Sequence, residues 1–325
     1  MSYSLAASYR HNLYGIAVLC IVLAMLGVFV TGSYEKTMLI FSMINAIAAI
    51  GLCLLFGYGG QISLCQGSFF GLGAYTVADM VQMGGIDPII ALVGAVLVPS
   101  LLGWLIARPL LRLSSHYLAM ATLALGLIMS IFYTQLQFLT GGADPGVMDL
   151  KPFAPLGISL GSTNAMFWVC GVAVTLTMLI SVNLIHSRIG RALRGIRSSE
   201  IPAASLGIDT VRYKVAIFTV AAGMAGLGGG LYAFSTRAFN SSSFETNYSI
   251  DLLIMVLIGS VRSPWGALVG ALVINIVPAF LESFDHYRLF TYGILMTIIM
   301  IFMPDGLASA CFNGVKNLVG RRSWS

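Results

Sequence analysis

The side chains best suited to handling a polar solute lie in one glycine-rich stretch, Gly57–Met80, which reads GYGGQISLCQGSFFGLGAYTVADM. It sets Gln61, Ser63, Gln66 and Ser68 among apolar residues, with Asn45 a short way upstream. Amides and hydroxyls of this kind donate and accept hydrogen bonds but offer no ready proton at neutral pH. Their chemistry is recognition without reaction. A second polar stretch, His186–Lys214, sets Arg188, Arg191, Arg194, Arg197, Arg212 and Lys214 against Glu200 and Asp209. Elsewhere the chemistry is sparse. The histidines (11, 116, 186, 286) and cysteines (20, 53, 65, 170, 311) are scattered, with no metal-ligand spacing and no disulfide framework. Neither a metal site nor a cofactor of the chain's own is expected. None of Lys36, Lys151, Lys214 and Lys316 follows a glycine, so a phosphate-cradling P-loop is absent. With no nucleophile or acid–base constellation either, the chain reads as something other than an enzyme.

The elements that must position these residues are membrane spans. Mean hydropathy of +0.91, with 58% hydrophobic and only 9% charged residues, places the chain in the membrane class. Its net charge of +5 does not point to nucleic acid, because the basic residues fall at span ends and in loops. The fold expected is all-α and polytopic, one domain over residues 1–325, with about 10 transmembrane helices, some of them short or broken. The spans are expected near 13–31, 38–56, 57–80, 89–107, 117–139, 166–185, 215–235, 250–261, 266–282 and 289–303. The first reads as an uncleaved span. With the N-terminus inside, only Lys36, Lys151, Arg237 and Arg288 of the 17 Lys and Arg fall outside. The positive-inside rule therefore places both termini and residues 186–214 in the cytoplasm.

Two readings stay open for Gly57–Met80. Its glycines and amides make it a poor lipid-facing helix, so it either lines a water-accessible path or packs closely through small residues. The run AGMAGLGGGLYA, residues 222–233, poses the same choice, with close packing favoured by its composition. Ionisable groups inside spans, the usual mark of ion-coupled carriers, are nearly confined to Asp79, which also reads as an interfacial acid. In the charged stretch, Ser198-Ser199-Glu200-Ile201-Pro202 reads as a helix start and Gly207 as its stop. Such a helix is either a docking element for a soluble partner or part of a topogenic tether.

The residues from Gly190 to Ala233, GRALRGIRSSEIPAASLGIDTVRYKVAIFTVAAGMAGLGGGLYA, resemble the coupling loop and following helix of permease subunits in branched-chain amino-acid ABC importers of the LivM type. Ala203, Ala204 and Gly207 match the Ala-Ala-x-x-Gly part of the loop motif; Pro202 stands where the general motif has glutamate, and Glu200 is the nearest acid. Gly57–Met80 is similar to that family's Gly-Gln-x-Ser-Leu-Gly pattern and its following Phe-Phe-Gly-x-Gly-Ala-Tyr run, with Cys65 in place of the glycine. Thr140–Asp144, SVRSPWGALVGA (260–271) and FMPDGL (302–307) extend the likeness, and Pro145 interrupts an expected Asp-Gly pair. The resemblance implies a bacterial inner-membrane permease for branched-chain or related amino acids. It implies a second related permease, two ATP-binding subunits that hold the ATP, a periplasmic substrate-binding protein, and contact with membrane lipid. It implies a substrate path that includes Asn45, Gln61, Ser63 and Gln66, and a coupling loop that includes Arg191, Arg194, Glu200, Ala203, Ala204 and Gly207. A urea or short-chain amide permease of the same kind, and a self-sufficient carrier or channel, are the alternatives.

Overall fold

The computed structural model describes residues 2–280 apart from 112, 114, 137–139, 143–145 and 156–159, together with positions 293 and 297. The described residues form α1 (Ser2–Phe29), α2 (Ser33–Cys53), α3 (Gln66–Gln82), α4 (Pro88–Leu110), α5 (Ser115–Gln135) and α6 (Thr163–His186). They continue as α7 (Arg188–Ser198), α8 (Glu200–Ser205), α9 (Thr210–Thr236), α10 (Thr246–Gly259) and α11 (Pro264–Phe280). Among these residues the only β pairing is an isolated bridge between Val147 and Phe239. The chain is an all-α, multi-pass membrane protein.

Among the described residues, six helices are long and apolar enough to cross a bilayer: Asn12–Phe29, Ser33–Tyr58, Pro88–Leu110, Tyr117–Gln135, Thr163–His186 and Thr210–Thr236. The remaining expected spans take other forms. The third is broken: α2 ends in a widened π-helical turn, Leu54–Tyr58, and an irregular path follows before α3 begins at Gln66. The eighth and ninth, α10 and α11, are a pair bent by 118°. The tenth, near 289–303, is described only at positions 293 and 297, and the basic C-terminal tail lies outside the described residues.

Burial sorts the helices into a core and a lipid-facing ring. The windows in α2 and α9 are 78% and 72% buried, against 11% for α1 and 22% for α4 and α5. Small residues cause this. In α9, Gly226 faces the Ala95 carbonyl and Pro99 of α4, and Gly229 faces the Phe70 carbonyl of α3. Gly51 of α2 meets Ala221 and Met224 of α9. Backbones that approach this closely gain dispersion contacts, the main attraction left to helices already surrounded by lipid. AGMAGLGGGLYA is therefore a packing face. The outer ring instead carries large apolar side chains on its exposed surface, such as Val28, Leu101, Ile128 and Val172. Helices apolar on both faces are what a bilayer solvent selects.

Polar contacts mark the two ends of the bundle. At one end Lys36 Nζ reaches Asn164 Oδ1 at 3.0 Å, and Arg237 Nη2 reaches the Gly161 carbonyl at 2.6 Å. Gln82 Nε2 donates to the Met148 carbonyl at 2.8 Å, tying the end of α3 to the same 140–165 loop. At the opposite end lie α7, α8, Lys214 and Arg262. The third crossing thus runs end to end, with an irregular first half and a helical second half.

Candidate functional site

The break that precedes α3 leaves polar side chains buried where helical hydrogen bonding has lapsed. Gln61 is 3% exposed, and neither atom of its amide has a hydrogen-bond partner among the described residues. Ser63 Oγ lies 3.3 Å from Cys65 Sγ. Gln66 Nε2 donates to the Ala221 carbonyl of α9 at 2.7 Å. The first turn of α3 gets its missing acceptor from α10, where Ser249 Oγ receives the Gly67 N–H at 2.9 Å. Leu64 N is met by Thr122 Oγ1 at 3.1 Å, which ties the irregular path to α5.

Asn45 belongs to a neighbouring relay. Its Oδ1 accepts from Tyr248 Oη at 2.6 Å, and its Nδ2 donates to Asn275 Oδ1 at 3.0 Å. Asn275 in turn donates to the Ala271 carbonyl within α11. Tyr248 and Ser249, adjacent on α10, join this relay to the start of α3. Sequence reasoning named Asn45 but missed Tyr248, Ser249 and Asn275, whose one visible signal was polar residues inside short apolar runs. It also missed the buried aromatic cluster alongside, where Tyr133 Oη donates to the Ser68 carbonyl at 2.6 Å. Two further buried hydroxyls, Tyr75 Oη in that cluster and Thr246 Oγ1 at the start of α10, have no partner among the described residues.

A different geometry occupies the end bearing α7 and α8. Ser187 caps α7, its Oγ accepting from Ile189 N at 3.1 Å and Gly190 N at 3.4 Å. Gly190, Leu193 and Ile196 form its buried stripe, which leaves Arg188, Arg191, Arg194 and Arg197 exposed. Helix α8 starts after Ser199, carries Pro202 in its first turn and stops at Gly207, where φ is +80°. Gly207 N donates to the Ala204 carbonyl and Ile208 N to the Ala203 carbonyl, the paired bonds of a Schellman stop.

One expected contact residue, Ala203, is turned away from the free face of α8, while Glu200 stays exposed. Ala203 is 4% exposed and packs inward, because it lies on the side of the helix that meets the bundle. Glu200 is paired with Lys214 of α9 and so ties α8 to its own chain. Ala204 remains exposed, flanked by Ile201 at 84% and Leu206 at 81%. Ser199 makes no side-chain cap bond, but large aliphatic side chains held this far out on a helix with a Schellman stop suit a partner surface.

The model for the family described as "Branched-chain amino acid transport system / permease component" matches residues 36–304. The chain belongs to this family. The permease is 29% identical over 289 residues to the high-affinity branched-chain amino acid transport system permease protein LivM of Salmonella typhimurium, covering 82% of this chain and 68% of that protein. It is 25% identical over 280 residues to LivH of the same organism, covering 81% of this chain and 90% of LivH. A probable LivH from Methanocaldococcus jannaschii is 24% identical over 302 residues, covering 86% and 93%. No solved structure matches the permease. The matched region begins at α2 and takes in the broken crossing, the α7–α8 pair and the α10–α11 hairpin, while the lightly buried α1 lies outside it.

Proposed function

We propose that this chain is the transmembrane permease of an ATP-driven importer for branched-chain or related amino acids, seated in the bacterial inner membrane with both termini cytoplasmic. It pairs with a second related permease, and the two dock two ATP-binding subunits. A periplasmic binding protein delivers the substrate, and ATP stays on the partner subunits. The observation that carries this reading is the α8 face, where Ile201 and the C-cap residue Leu206 project at one end of a membrane-embedded bundle. Burying them against a soluble subunit removes apolar surface from water.

The broken crossing suits the cargo. A branched-chain amino acid is a zwitterion with an apolar side chain, so its path needs no fixed counter-charge. The Gln61 amide can donate to a carboxylate and accept from an ammonium group. Closure of the ATP-binding pair would push on α7 and α8 and rotate the spans between outward- and inward-open states. Urea or a short amide is the competing cargo, and the family description favours the amino acid.

Labelled leucine uptake by vesicles holding the assembled importer tests the assignment. Unlabelled isoleucine and valine should compete while urea should not. Competition by urea alone would move the protein to the amide branch.

A further inference from the structure

Among the described residues, Arg197 is the basic side chain of the 186–214 segment that bonds to the membrane-embedded part of the chain. Arg191 donates back to the His186 carbonyl, and Lys214 pairs with Glu200. Arg197 Nη1 instead donates to the carbonyl of Gly57, and its aliphatic stem packs over Gly60. Gly57 lies in the widened turn at the end of α2. There the amides of Gly59, Gly60 and Gln61 already return to the carbonyls of Leu54, Phe56 and Leu55 at 3.1, 3.2 and 3.3 Å. Single π-turns of this kind are local soft points in otherwise regular helices and recur at functional sites.

The same turn is jointed to the bend between α10 and α11. Tyr58 Oη donates to the Arg262 carbonyl at 3.0 Å, and Cys53 Sγ lies 3.4 Å from the Val261 carbonyl. A methyl group at Gly57 would strike the Val261 carbonyl, so the two backbones are in direct contact. Immediately beyond, residues 62–65 run outside any helix, next to the buried Gln61 amide that has no partner among the described residues. A surface helix, a π-turn and an irregular, partly buried segment thus meet through one guanidinium.

We propose that Arg197 is the positioning residue through which movement of the α7–α8 pair reaches the third crossing. When docked subunits displace α7, the guanidinium carries the Gly57 carbonyl with it and re-sets residues 59–65. What the Gln61 amide meets then differs between the two states. The Gly57 carbonyl is uncharged, so the link depends on directed N–H donors and not on positive charge alone. The inference rests on the docking role proposed for α8.

The test uses the complete importer in vesicles, with a cysteine at Ile62 and the chain's own cysteines replaced. Substrate moved per ATP hydrolysed is measured together with nucleotide-dependent modification of that cysteine. Arg197→Ala should retain the ATP-binding subunits and their hydrolysis. Transport per ATP should fall about tenfold, within the usual range for coupling between sites, and position 62 should stop responding to nucleotide. Arg197→Lys, which keeps the charge but loses the planar fork, should fall between. Arg108→Ala, which removes a cation elsewhere at the same membrane end, should match wild type. Unchanged transport per ATP with an intact response at position 62 overturns the proposal. Loss of the ATP-binding subunits in Arg197→Ala also overturns it, since Arg197 would then belong to the docking face. If Arg197→Ala fails to insert, a wild-type ratio and response in Arg197→Lys is the overturning result. Failure of the wild-type importer to couple hydrolysis to uptake would strike at the docking role itself.

Discussion

Gln61 and Gln66 are the same residue type five positions apart, yet their surroundings assign them different work. Gln66 is strapped to the Ala221 carbonyl, whereas neither atom of the buried Gln61 amide has a partner among the described residues. A buried polar group without a partner costs about 1–3 kcal/mol. Gln61→Leu should therefore leave thermal stability in detergent unchanged or higher while lowering uptake severalfold. Gln66→Leu should lower stability by about 1 kcal/mol, the usual worth of a buried hydrogen bond. Full uptake by Gln61→Leu would show that Gln61 is a packing residue. Tyr248→Phe removes the donor to Asn45 Oδ1 and should cost about 0.5–1.5 kcal/mol, read as a lower melting temperature. The polar residue types and their membrane depth were legible in the sequence. Their partners were not, because Gln66 bonds a residue 155 positions away and Asn45 one 230 positions away. Only the packing of distant helices brings those groups together.

At the scale of the element, local rules carry furthest where the signals are local. The start and stop of α8 could be read from Ser199, Pro202 and Gly207, since caps and left-handed stops are written in neighbouring residues. Which side of so short a helix faces the bundle could not be read, and Ala203 turns inward although Ala204 does not. Gly207→Val should misdirect the exit from α8. Open space surrounds a Cβ there, so the penalty of roughly 1–2 kcal/mol is conformational. Ile201→Asp should insert normally but fail to retain the ATP-binding subunits in a pull-down; undiminished retention would mean that α8 is only a tether. In the core, Gly229→Ala would drive a methyl group into the Phe70 carbonyl and part α3 from α9. Overpacking of that kind costs about 1–3 kcal/mol and should appear as a lower melting temperature in detergent.

For the whole molecule, the broken third crossing decides the topology. It carries the chain from the end bearing α7 and α8 to the end bearing the 140–165 loop, so Ser199 and Gly142 should lie on opposite sides of the membrane. Cysteines introduced at these positions should label from opposite faces, with position 142 periplasmic; labelling from one face would break the arrangement. Under the proposed function, this permease has no drive of its own and moves solute only when ATP-binding subunits act on α7 and α8. The most direct measurement compares leucine uptake by vesicles containing the permease pair alone, under imposed proton and sodium gradients, with uptake after the ATP-binding subunits, ATP and the binding protein are supplied. Uptake should appear only in the second case and vanish with a non-hydrolysable nucleotide. Concentrative uptake driven by an ion gradient without those subunits would contradict the account and make the protein a self-sufficient carrier.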